Sequence, residues 1–186
     1  MIALIDTNVV VTYLLQREAP DLVECRAILQ HCASGSVEGY VSLPTLATAW
    51  YLMRKMAAPT RREKLRELCR IVKLANIEMP IVQQAIENDD FPDFEDNLQD
   101  CCAVSVHADY IVTANVKDFC GHSRVTPITP ADLLSLLEFN AFTQPSSASE
   151  VREETGLYFP GRAVLLTEQI RLPGHSLSHR HRWKYA

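Results

Sequence analysis

The chain has 186 residues, 47% apolar and 22% charged, a length that fits one domain with an appendage and an apolar share that excludes a wholly disordered chain. No apolar run approaches the roughly 18–20 residues of a membrane span, and the opening six residues read as a first strand rather than a leader peptide, so a cytoplasmic protein is expected. The formal net charge of −5 argues against a broadly basic nucleic-acid binder and leaves room for a local cluster of carboxylates.

In chain order, residues 1–5 form a short apolar run ending in Asp6-Thr7-Asn8, as a buried strand with polar groups at its C-terminal end would. Residues 8–15 read as a short helix despite their β-branched content. Pro20 opens a second helix to about Cys32, and Ser34-Gly35-Ser36 closes it. A second strand is expected over 39–42, then a helix over 44–55 carrying Leu46, Trp50 and Met53 at helical spacing. Thr60 and Glu63 have the spacing of a capping box for a helix to about Val72. Ile77 and Met79 suggest a third strand, and Pro80 starts a helix over 81–88. A further helix begins at Asp93 or Phe94 and runs through Leu98, Cys102, Ala103 and Val106. Strands are expected over 110–113 and 125–128, with Thr129-Pro130 capping a last helix over 131–139. This alternation predicts a three-layer α/β/α sandwich with a mainly parallel central sheet. Residues 1–140 form that domain. Residues 141–186 are expected to form a C-terminal extension that could be partly disordered, in which residues 163–167 could add an edge strand or a partner contact.

Six cysteines are spread without a C-x-x-C pair and read as ordinary thiols of a reducing compartment. The charge is uneven: up to Asn140 there are 12 Lys+Arg against 19 Asp+Glu (−7), and beyond it 6 against 4 (+2). The acids gather in three places. Asp6-Thr7-Asn8 ends the first strand, where Asp6 could cap the next helix or ligate a cation. Asp93, Glu95 and Asp96 crowd one helix start and Asp100 shares a face with Asp96, and like charges three or four residues apart destabilise a helix unless neutralised. Thr113, Asn115 and Asp118 follow an apolar strand. In open parallel sheets, ligands lie outside the C-terminal ends of the strands, which is where Asp6 and the 113–118 segment fall.

Carboxylates a few ångströms apart repel, so some take up a proton unless a cation lies between them. Oxygen-only ligands favour Mg²⁺ or Mn²⁺ over zinc. One or two such ions can activate water and clamp both oxygens of an in-line phosphoryl displacement. No Gly-rich phosphate loop, G-x-S-x-G elbow or H-E-x-x-H is present. The histidines form no ligand set: His31 and His107 read as surface residues, and His175, His179 and His181 fall in the tail. A phosphatase with Asp6 as nucleophile would want a second Asp where Asn8 stands.

From Ile2 to about Leu137 these residues resemble the PIN-domain family, in its bacterial toxin-like (VapC-type) branch. Residues 5–10 resemble its opening strand and first acid, and residues 39–55 are similar to its second motif region. Residues 93–99 resemble its central acidic helix, with Asp96 at the usual aspartate, and residues 110–119 its closing motif. The resemblance implies an endoribonuclease toxin that hydrolyses RNA phosphodiester bonds with Mg²⁺ or Mn²⁺. Asp6, Asp96 and Asp118 would be its metal ligands and catalytic acids, Glu95 and Asn115 would supplement them, and Asn8, Thr113 and Thr48 would orient substrate. It also implies RNA as substrate, an antitoxin partner that plugs the acidic groove, and a homodimer. Arg54, Lys55, Arg61, Arg62, Lys64 and Lys117 are the groups that could grip RNA. Where many family members place a Glu, near Thr48, residues 45–50 contain no acid. That departure leaves a second reading open: a degenerate, non-catalytic PIN domain that binds RNA or a protein partner.

Overall fold

The computed structural model of the chain describes residues 1–16, 19–76 and 78–143. The elements run β1 (Ile2–Ile5), α1 (Thr7–Leu15), α2 (Leu22–Ser34), β2 (Glu38–Val41), α3 (Leu43–Leu52), α4 (Ala58–Ile71), β3 (Lys73–Leu74), α5 (Met79–Glu87), α6 (Phe94–Ser105), β4 (Tyr110–Val112), α7 (Val116–Phe119), β5 (Thr126–Ile128) and α8 (Pro130–Thr143). Five strands make one sheet in the order β3-β2-β1-β4-β5, every pair parallel. The expected α/β/α sandwich is therefore what the chain forms.

The two-residue period of a strand divides the core. Ala3, Ile5 and Val112 point to the face covered by α1, α2, α3, α4 and α8, through Val9, Val10, Ile28, Leu29, Met53, Leu68 and Leu133. Leu4 and Ile111 point to the opposite face, where Cys102 and Ala103 of α6 pack with Phe91 and Phe119. Helix α5 lies outside α6, joined to it through Ala85, Leu98 and Cys101. Leu4 and Ile111 are fully buried, each contributing roughly 1.5–3 kcal/mol of transfer free energy. Gly39 in β2 marks a close approach: a Cβ there would lie 2.6 Å from Cys32 Sγ and 3.3 Å from Val72 Cγ1. Gly35 ends α2 at φ 79°, a left-handed conformation that glycine adopts at little cost.

Several boundaries differ from expectation. Thr60 is not the cap of α4; Ala57 holds that position and Pro59 lies in the first turn. The third strand is Lys73–Leu74, an exposed edge pairing with β2, while Met79 begins α5 and Ile77 lies outside the described residues. Helix α7 was not expected at all. Residues 144–186, which hold most of the expected extension, residues 163–167 and the three tail histidines, also lie outside the described residues. Among the described residues no helix is long and apolar enough to cross a membrane, and the six cysteines are free thiols.

The consequence for function lies in the register. Ile5 of β1 is paired with Val112 of β4, so the next residue of each strand, Asp6 and Thr113, emerges side by side. The strand order reverses here, with β2 and β3 on one side and β4 and β5 on the other. This is the topological switch point at which sheets of this class bind ligands.

Candidate functional site

Asp6 is 4% exposed and caps α1, taking the Thr7 N–H on its Oδ1. Two neutral side chains complete its hold. Gln99 Nε2 of α6 donates to Oδ1 at 2.7 Å, and Thr113 Oγ1 donates to Oδ2 at 2.7 Å. Burial pushes the Asp6 carboxyl above its ordinary value, against the pull of hydrogen bonds from Thr113, Gln99 and the backbone of Thr7 and Asn8. A buried carboxylate with this many donors is held in one orientation, and only its net charge remains uncompensated.

Thr113 is a junction. Fully buried, it accepts from Asn8 Nδ2 at 3.0 Å and from the Asn115 N–H at 2.9 Å while donating to Asp6. Asn8 Oδ1 in turn accepts the Ala114 N–H at 3.1 Å. The turn after β4 is thereby tied to the start of α1. Asn115 contributes its backbone and caps α7, on which Asp118 lies exposed.

The acids of α6 are delivered by its N-terminus. Asp93 is the cap, accepting from the Glu95 N–H at 2.7 Å and the Asp96 N–H at 3.2 Å, and the macrodipole favours negative charge in this first turn. Glu95 accepts from Thr7 Oγ1 at 3.1 Å, and Thr7 also meets Thr45 Oγ1 at 3.0 Å. Thr45 bonds in turn to Ser42, the cap of α3, at 2.9 Å. Asp96, half-buried, is the electrostatic centre. Its carboxyl is pushed up to about 7, first by burial and then by the charges of Asp6, Asp93, Asp118 and Glu95.

The structure thus brings together Asp6, Asn8, Thr113, Glu95, Asp96 and, through its field on Asp96, Asp118. It does not bring Thr48 into this network. Thr48 is half-buried on α3, and Thr45, one turn earlier, makes the contact to Thr7. Asp100, on the face of α6 shared with Asp96, belongs elsewhere. It is fully buried and accepts from Ser123 Oγ at 2.7 Å, Arg124 N–H at 2.8 Å and Arg124 Nε at 2.7 Å. That is a structural clamp on the loop before β5.

Thr7, Thr45 and Gln99 are site residues to which the sequence assigned no role. Only Gln99 left a signal, lying three residues after Asp96 and so on the same helical face. Among the described residues no three His, Cys, Asp or Glu side chains converge tightly enough to ligate an ion as they stand. The donor set is nonetheless of the right chemistry, oxygen-only and rich in carboxylates. An acid pushed up by burial and by neighbouring carboxylates is what such a set contains with no cation among them.

The family profile described as PIN domain matches residues 3–117, from β1 into α7. No curated protein matches the chain. Among solved structures, VapBC2 from Rickettsia felis, bound to a DNA fragment from their promoter, has a similar fold. It aligns with a TM-score of 0.55 at 19% identity, over 69% of this chain and 98% of that one. VapC20 of Mycobacterium tuberculosis, described as a sarcin–ricin loop cleaving toxin, gives a TM-score of 0.47 at 13% identity, over 67% of this chain and 99% of that one.

Proposed function

The chain belongs to the PIN-domain family, and from that premise we propose that it is a metal-dependent endoribonuclease of the toxin–antitoxin (VapC) type, cutting RNA at the pocket around Asp6, Asp96 and Asp118. The observation that carries this reading is Asp96. Its carboxyl is pushed up to about 7, first by burial and then by the charges of four other carboxylates. A protein gains nothing in stability from such crowding, and a hard divalent cation resolves it.

Asp6, Asp96 and Asp118 are the residues that would hold Mg²⁺ or Mn²⁺, with Glu95 beside them. Bound there, the ion supplies charge neutralisation and Lewis acidity toward a phosphodiester. The chain's own part is preorganisation. Gln99 and Thr113 fix the Asp6 carboxylate, Asn8 and Asn115 fix Thr113, and Thr7 steadies Glu95. Because these residues are locked by hydrogen bonds, little reorganisation is needed at the moment of reaction.

The distribution of charge supports a polyanionic substrate. Residues 54–70 hold seven Lys+Arg against two Asp+Glu, whereas the rest of residues 1–140 hold 5 against 17. Among the described residues only Arg66 of those seven has a carboxylate partner, Glu63 at 2.6 Å. Arg61 stacks over Trp50 at 4.0 Å from the ring centroid and Arg54 over the exposed Tyr51 at 4.7 Å. Cations interleaved with aromatic rings suit single-stranded RNA, whose phosphates and bases they meet separately. Helix α3 runs from this cationic end to Ser42 and Thr45 at the acidic pocket. Lys117, beside Asp118, adds a cation there. The same reading gives the protein a cytoplasmic location, an antitoxin partner over the groove and a homodimeric state.

Asp6→Asn and Asp96→Asn should each abolish RNA cleavage with unchanged circular dichroism; undiminished turnover in either overturns the mechanism. A second reading, a PIN domain that binds RNA or a protein without cutting, is favoured by one observation: α3 carries no acid near Thr48. It predicts RNA retained intact and a melting temperature unmoved by millimolar Mn²⁺.

A further inference from the structure

Gln99 lies in the middle of α6, 1% exposed, and reaches Asp6 across 93 residues of sequence. Its amide is only half used. Nε2 donates to Asp6 Oδ1 at 2.7 Å, while Oε1 is buried with no hydrogen-bond partner among the described residues. The amide cannot turn over to relieve this, because Oε1 would then face a carboxylate oxygen, acceptor against acceptor. A leucine would fit the same helix position, favour the helix at least as well and leave no orphaned acceptor. For the packing of α6 alone leucine would serve as well, so what distinguishes the glutamine is its bond to Asp6.

We infer that Gln99 is a positioning residue for the Asp6 carboxylate, holding Oδ1 so that ligation of a divalent cation falls to Oδ2. Oδ1 receives both the Thr7 N–H and the Gln99 amide, which match its two lone pairs. Thr113 fixes the rotation of the group from the other side through Oδ2. Removing the amide frees the carboxylate to rotate about a single remaining side-chain tether. The inference rests on the metal-site reading of Asp6.

The test compares the full-length wild type with Gln99→Leu and with Gln99→Met, which keeps the length and flexibility of the side chain. Mn²⁺ affinity is measured by electron paramagnetic resonance without RNA, and melting temperature in EDTA. The expected result for both variants is a melting temperature in EDTA no more than about 10 °C below wild type, since Asp6 loses one of its donors, with Mn²⁺ affinity lower by about 10–100-fold, the usual effect of losing a group that orients a ligand. Wild-type Mn²⁺ affinity in both variants overturns the role assigned to Gln99 and leaves the metal site standing. A fall of more than about 10 °C in EDTA for both also overturns it, by making Gln99 a structural keystone. Absence of Mn²⁺ binding in the wild type overturns the nuclease reading itself, and this inference with it.

Discussion

Asp96 and Asp100 lie one helical turn apart on α6, and replacing each by asparagine should move stability in opposite directions. Asp100 is fully buried with three donors on its carboxylate, two of them from Arg124. Breaking a buried pair costs about 3–5 kcal/mol, but the Arg124 side chain is 46% exposed, so about 2–3 kcal/mol is expected. For a domain of this size that lowers the melting temperature by roughly 6–15 °C. Asp96 is the reverse case. A carboxyl raised from 3.8 to about 7 favours the folded state fully only below its unfolded value of 3.8, and that stability is lost as pH rises through about 7. Converted whole, the shift is worth about 4 kcal/mol at pH 8; Asp96 is only half-buried, and solvent screening leaves about 1–2 kcal/mol. Asp96→Asn should therefore stabilise the protein by that amount in EDTA at pH 8, with the gain shrinking toward pH 4. Urea melts at pH 4, 6 and 8 measure it, and Mn²⁺ at pH 8 should stabilise wild type and Asp100→Asn but not Asp96→Asn. Destabilisation by Asp96→Asn at pH 8, or a Mn²⁺ shift equal to that of wild type, would refute the view of Asp96 as the crowded centre of a cation site.

Thr113→Val keeps the side-chain shape but leaves Asp6 Oδ2, Asn8 Nδ2 and the Asn115 N–H each short of a partner. A loss of about 1–3 kcal/mol in a urea melt is expected, together with weaker Mn²⁺ binding; an unchanged melt contradicts the junction role. Gly39→Ala should cost about 1–3 kcal/mol through overpacking on Cys32, and Cys32→Ala in the same chain should recover most of it. For RNA, Arg54→Gln with Arg62→Gln should flatten the dependence of log affinity on log salt by about 0.7 for each phosphate no longer neutralised. Unaltered slope and affinity, measured by fluorescence anisotropy in EDTA, would remove residues 54–70 from the binding surface.

The layers of the fold and the acids of the site were legible because both are written in local patterns. Apolar runs marked β1 and β4, helical spacing marked most of the helices, and acids after strands or at helix starts marked the pocket. Where the local pattern misled, a neighbour explains why. The Thr60–Glu63 spacing mimics a capping box, but Pro59 suits the first turn and draws the start of α4 back to Ala57. β3 has two exposed residues and no burial pattern to read, and α7 has four residues, too few to show a period. Of the neutral side chains, Asn8, Thr113 and Asn115 could be singled out beside the acids, but their partners could not. Thr7 meets Thr45 across 38 residues, Asn8 meets Thr113 across 105, and Gln99 meets Asp6 across 93. Only the parallel pairing of β1 with β4 and the packing of α6 on the sheet bring those partners together. Gln99 shares a helical face with Asp96, but nothing in the local pattern says that it reaches Asp6.

Cleavage of RNA at the acidic pocket with a divalent cation can be tested in one experiment. The most direct measurement is incubation of a mixed panel of single-stranded and structured RNAs with the purified full-length chain in Mn²⁺, in EDTA, and with Asp96→Asn in Mn²⁺. Discrete cleavage products are expected in the first condition alone. Intact RNA in all three, from protein that is folded and binds the panel, would contradict it and leave a PIN domain that holds RNA without cutting.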